Sequence, residues 1–265
     1  KRQILTLRAG FNTAVVTAGT TLLGVAAGVC GTFAFLRRRA LMGDALAHAT
    51  LPGIALAFIV ATALGGEGKS VFVLLLGAAI TGTLGVAAVH ALVRHSRVRE
   101  DAAIAIVLGV FFGVGVTLMS VIQTMSTGTQ AGLHHFIYGH TASMLQRDAV
   151  VLGVLALVSV AAAAALFKEF RVVCFDDAFA SVQGWPVGVL DTLMMTLVVL
   201  ITVIGLQSVG ILLVIALLII PAVAARFWTD RLGTMTVLAG LFGGASGWIG
   251  STTSALVDDA PAGAV

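Results

Sequence analysis

Eight predominantly apolar runs, separated by short polar and charged stretches, order this chain: residues 12–36, 45–65, 70–93, 102–125, 149–167, 189–206, 209–225 and 232–250. Most are close to the ~20 residues that an α-helix needs to cross a bilayer's hydrocarbon core. A segment in lipid must satisfy its own backbone hydrogen bonds, and a helix does so without a neighbour. The pattern therefore predicts an all-α, polytopic transmembrane bundle of about eight helices, forming one domain over residues 1–265. One stretch, 126–147, is too polar to span and reads as a partly helical or re-entrant cap on the outer side.

Composition supports the membrane reading. Of 265 residues, 59% are hydrophobic and 10% charged, and mean hydropathy is +1.08, where soluble domains carry about 25% charge. The 31 glycines then read as sites of close helix approach. Two cysteines, Cys30 in an apolar run and Cys174 in a polar one, do not make a disulfide framework. The net charge of +3 carries no nucleic-acid signature.

Orientation follows from the basic residues. Arg37, Arg38, Arg39, Arg94, Arg97, Arg99, Lys168, Arg171, Arg226 and Arg231 fall in one set of alternating loops, against Lys1, Arg2, Arg8, Lys69 and Arg147 in the other. The positive-inside rule puts the first set in the cytoplasm and both termini outside.

Ionisable groups within apolar helices point to function. Asp44 and His48 stand four apart, on one face of a helix, where a carboxylate and an imidazole address a single point. Both suit Mn²⁺, Fe²⁺ or Zn²⁺. The same pair is also explained by Asp44 capping its helix and hydrogen-bonding His48. Glu100 and Asp101 suit the N-terminus of the fourth helix, and Asp191, early in the sixth, is read the same way. His90 and His95 are read as interfacial; His134, His135 and His140 could receive a metal ion, but exposed loop histidines are usually only solvated. Ser246, in Gly244-Ala245-Ser246-Gly247, sits in a setting like that of intramembrane serine proteases, but small residues there are better explained by packing.

Between the fifth and sixth apolar runs, Asp176 can cap a short helix that ends at Gly184, with Pro186 blocking continuation. Phe175, Phe179 and Val182 share one face of it, which either packs on the bundle or docks a partner.

Four ordered segments resemble the metal-ion ABC permeases of the zinc, manganese and iron uptake class. They are Leu36 to Ala49 with Leu51-Pro52-Gly53; Glu100 to Ile106 with Phe111-Phe112-Gly113; Phe175-Asp176, Ala180, Gly184 and Pro186; and Val209 to Ala222. The resemblance implies that Asp44 and His48 contact the metal in passage. It implies that the loop at about 170–186, with Phe175, Asp176, Phe179, Ala180 and Gly184, docks on a cytoplasmic ABC ATPase. It further implies an extracytoplasmic metal-binding protein, a second permease copy as homo- or heterodimer, and a bacterial inner-membrane location. The cargo would be Mn²⁺, Zn²⁺ or Fe²⁺, with a lean to manganese, and Gln130 to Leu133 with Phe136, Tyr138-Gly139 and Asp148 is similar to manganese- and iron-type members. Family members continue past Asp259 to Gly263 into another crossing, so a final helix is expected beyond Val265. No bound cofactor or catalytic residue is expected: ATP would be hydrolysed by the partner, since this chain lacks a Gly-x-x-x-x-Gly-Lys-Ser/Thr loop. The alternatives are an ATP-independent transporter or channel, an intramembrane protease, and a permease for a larger chelate or cobalamin-type ligand.

Overall fold

The computed structural model describes residues 11–37, 45, 47–64, 71–124 and 146–256. Among them all regular structure is helical: α1 Phe11–Leu36, α2 Leu51–Ala63, α3 Val71–His95, α4 Glu100–Thr124, α5 Gln146–Ala165, α6 Phe167–Phe175, α7 Asp177–Val182, α8 Val187–Val209, α9 Ile211–Arg226 and α10 Leu232–Leu256. A helical turn at Ala47–Ala49 leads into α2.

Five of these helices are long and apolar enough to cross a membrane: α1, α3, α4, α8 and α10. A sixth span results if α5 and α6 are taken together across their 67° bend, while the helices Ala47–Ala63 and Leu212–Arg226 are shorter. Among the described residues each of the eight expected apolar runs thus carries a helix, while five or six of them have the length of a crossing. The bend also corrects a boundary. The charged stretch after residue 167 was expected to be loop, yet helix resumes at Phe167 because Phe170 and Val173 bury completely in the core. Phe170 packs edge-on against Phe33 of α1, with ring centroids 5.3 Å apart.

The helices α1 and α8 form the centre. Leu23, Ala26, Ala27 and Phe33 of α1 share one core with Met194, Met195, Val198 and Ile201 of α8. Around α1 lie α5, α9 and α10, and against α8 lie α3 and α5.

Small residues explain the closest crossing. A methyl added at Gly24 would sit 2.1 Å from the Gly243 carbonyl oxygen of α10, and one at Gly28 would sit 2.2 Å from that of Ala239. With few driving forces between helices in lipid, such backbone approach is what holds them. Between α8 and α9 the chain turns at Gly210, whose φ of 86° suits glycine alone.

The ends of the helices sort as the basic residues predict. Phe35 and Leu36 at the end of α1 pack on Ala225 of α9 and Met235 of α10, and Arg37 contacts α6, α7 and α8. Arg37, Lys168, Arg171, Arg226 and Arg231 are therefore borne on helix ends that gather at one end of the bundle.

Candidate functional site

His48 is half-buried, one turn before α2. Its ring stands edge-on to Phe112 of α4, with centroids 5.0 Å apart at 80°. The approach of α4 is allowed by Gly115, where a methyl would meet Leu51 Cβ at 2.8 Å. The backbone after His48 is pinned by Thr50, whose hydroxyl donates to the Ala47 carbonyl at 2.7 Å. Asp44, the expected second ligand, lies outside the described residues, as do His134, His135, His140, nearly all of the expected outer cap at 126–147, and the segment Asp259 to Gly263. Among the described residues no three His, Cys, Asp or Glu side chains converge on a point that could hold a metal ion. His48 is thus the one expected metal contact whose surroundings are defined.

The short helix is where the sequence places it. The Asp176 carboxylate accepts from the Phe179 N–H at 2.8 Å, capping α7. Gly184 ends the segment with φ 82°, a conformation that costs L-residues with a side chain. Ala180 faces inward and is completely buried, whereas Phe175, Phe179 and Val182 are exposed, Val182 by 87%. Among the described residues, nothing of the bundle covers this greasy face.

Asp191 overturns its expected role. The N-cap of α8 is Pro186, no acidic residue stands in its first turn, and Asp191 lies one turn inside, 4% exposed. Its Oδ1 accepts from Arg37 at 3.1 and 3.2 Å, and its Oδ2 pairs with Nε2 of His90 on α3. Arg37 also donates to the Val173 carbonyl at 3.0 Å and to Asp177. Burial works against the Arg37 charge, but the hydrogen bond to Asp177 and the charges of Asp191 and Asp177 outweigh it, so its pKa is raised. His90 is therefore a partner within the fold and not merely an interfacial group, while His95 is exposed, its Nδ1 3.0 Å from the Ala91 carbonyl oxygen. One sequence signal was available: an acid in the run Val187-Gly188-Val189-Leu190-Asp191-Thr192-Leu193 is out of place in an apolar helix and calls for a partner of opposite charge.

The remaining candidates are quieter. Glu100 and Asp101 fall in the first turn of α4, where their charge suits the helix dipole. Ser246 is exposed and its hydroxyl donates to the Phe242 carbonyl of its own helix at 2.8 Å. Its neighbours Gly244 and Gly247 press on Val25 and Thr20 of α1, which explains the small residues as packing. Cys30 and Cys174 are not joined in a disulfide, and the Cys174 thiol lies 3.9 Å from the Met194 sulfur.

Comparison with known proteins places this geometry. The sequence profile of the ABC 3 transport family matches residues 11–265. The chain is 46% identical over 243 residues to the manganese transport system membrane protein MntC of Bacillus subtilis, covering 92% of this chain and 55% of that protein. It is 42% identical over 242 residues to the zinc transport system membrane protein TroC of Treponema pallidum, covering 91% and 80%. The chain thus spans about half the length of the first relative and four-fifths of the second. Its fold superposes on PsaBC from Streptococcus pneumoniae, solved in complex with Fab, with a TM-score of 0.80 at 28% identity, over 99% of this chain and 89% of that one.

Proposed function

This chain belongs to the ABC 3 transport family, and from that premise we propose that it is the membrane permease subunit of a binding-protein-dependent ABC importer for divalent transition metal ions. Manganese and zinc are the metals in the names of its relatives, and manganese is the favoured cargo. The protein is a multi-pass membrane protein, placed by this reading in a bacterial inner membrane as one permease domain. The helices Ala47–Ala63 and Leu212–Arg226, short as they are, complete the set of crossings in the proposal.

The observation that carries it is α7. The helix is capped and six residues long, and its apolar face, turned to solvent at the basic end of a membrane bundle, is left uncovered by the described residues of the chain. It suits docking on a separate cytoplasmic ATPase. A second permease copy and an extracytoplasmic metal-binding protein complete the assembly. Asp44 and His48 serve as transient ligands, because a closed four-ligand site would hold the ion too firmly to release it.

Reconstitution in proteoliposomes with the ATPase and the binding protein tests this function. Uptake of Mn²⁺ or Zn²⁺ is expected to require ATP and both partners. Metal uptake by the purified chain alone would instead identify an ATP-independent transporter.

The docking face makes a narrower prediction. Phe179→Asp combined with Val182→Asp should weaken ATPase binding about 30-fold, the roughly 2 kcal/mol of an interface anchor, as measured by titrating the ATPase in detergent. Because both side chains are exposed, the melting temperature of the subunit itself should not move.

A further inference from the structure

The helix α7 is six residues long, too short to hold its shape or place unaided. Its inward apolar contact comes down to Ala180, a single methyl. What ties it laterally is Asp177, ion-paired to Arg37. The same guanidinium binds the Val173 carbonyl of α6 at 3.0 Å and Asp191 of α8 at 3.1 Å, and Asp191 in turn engages His90 of α3. One residue beyond α1, the central helix, thus gathers α3, α6, α7 and α8.

We infer that Arg37, Asp191 and His90 form the joint through which movement of α7 reaches the transport bundle. The inference rests on the importer reading above. Apolar packing lets helices slide, whereas a planar guanidinium held by acceptors on three elements transmits direction as well as distance.

The two limbs of the joint differ in strength. Asp191 is 4% exposed and Asp177 53%. A solvent-exposed ion pair is weak and readily exchanged, while a buried one resists separation. An ATPase surface bearing on Phe179 and Val182 sits beside Asp177 and can shift that outer limb. The inner limb keeps α1, α3 and α8 moving as one body. Arg37 and Asp191 are positioning residues in this account, since they act on the cargo only through the helices they join.

The test uses the full complex with ATPase and binding protein in proteoliposomes, reading Mn²⁺ uptake and ATP hydrolysis together. Arg37→Met leaves the buried Asp191 carboxylate without its guanidinium and with His90 still on Oδ2, and is expected to lower stability. Adding Asp191→Asn removes that imbalance, so the double variant should regain thermal stability and bind the ATPase. Its Mn²⁺ imported per ATP should still fall about tenfold. If uptake per ATP returns in step with stability, the trio is only a structural clasp and the proposal is overturned. If the double variant does not regain stability, Asp177→Asn decides. With its site exposed, it should keep the fold yet lower the same ratio, and an unchanged ratio overturns the proposal. Failure of the wild-type complex to import Mn²⁺ with ATP strikes the importer reading itself, and the joint with it. Normal wild-type import with normal variants strikes only the joint.

Discussion

Asp44→Ala and His48→Ala are each expected to cut ATP-driven metal uptake by about 100-fold or more, while the subunit stays folded and bound to its ATPase. A divalent ion inside a low-dielectric bundle must exchange its water for ligands at every step. Losing a partner that merely orients a metal ligand costs about 10–100-fold, and a lost ligand should cost at least as much. His48 packs edge-on to Phe112 and is half-buried, so its truncation leaves a small gap. If the two act as a unit, the double variant should be scarcely worse than either single one. Chemistry then sorts the metals. His48→Asp offers a harder oxygen ligand, so Mn²⁺ uptake should survive it better than Zn²⁺ uptake. Radiometal flux in proteoliposomes, run beside an ATPase-binding assay, measures all of these. Full activity in both alanine variants would remove the pair from the pathway.

Gly243→Val carries the largest expected effect on stability. Its first added carbon would sit 2.1 Å from the Gly24 carbonyl oxygen, and the converse methyl at Gly24 lies 2.1 Å from the Gly243 oxygen. The obstacle is backbone on both sides, so no side-chain rotation relieves it, and α1 must part from α10. Overpacking costs about 1–3 kcal/mol even where side chains can adjust, and here roughly 3 kcal/mol or more is expected. Since α1 is central, the damage reaches α5, α8 and α9, which pack on it. Gly109→Ala is the control, in a membrane-spanning helix but with nothing within 4 Å of the new methyl. It should leave the melting temperature unchanged or raise it slightly, because alanine is the better helix former. Thermal unfolding in detergent distinguishes the two, and equal tolerance of both would contradict the observed crossing.

Much of this was legible because helices in lipid are written locally. Each apolar run becomes a helix, Asp176 caps α7 as its spacing requires, and Gly184 ends that segment. Among the described residues, Arg37 lies with the ends of α9 and α10 that bear Arg226 and Arg231, as the alternation predicts. The errors share one cause. Asp191 looks like a cap when judged by its distance from the helix start, and only the arrival of Arg37 and His90 from 154 and 101 positions away explains it. The bend after α5 was missed for the same reason: Phe170 buries against Phe33, a contact absent from any local window.

By itself, then, the sequence determined the membrane class, the helical runs and the family resemblance, since each depends on composition and short-range spacing that lipid enforces segment by segment. Only the tertiary structure decided that α1 is the hub, that the face of Phe179 and Val182 is open, and that Arg37 ties α7 to the bundle. Those facts depend on which distant surfaces meet, and apolar helices of nearly uniform hydrophobicity carry no local mark of their neighbours.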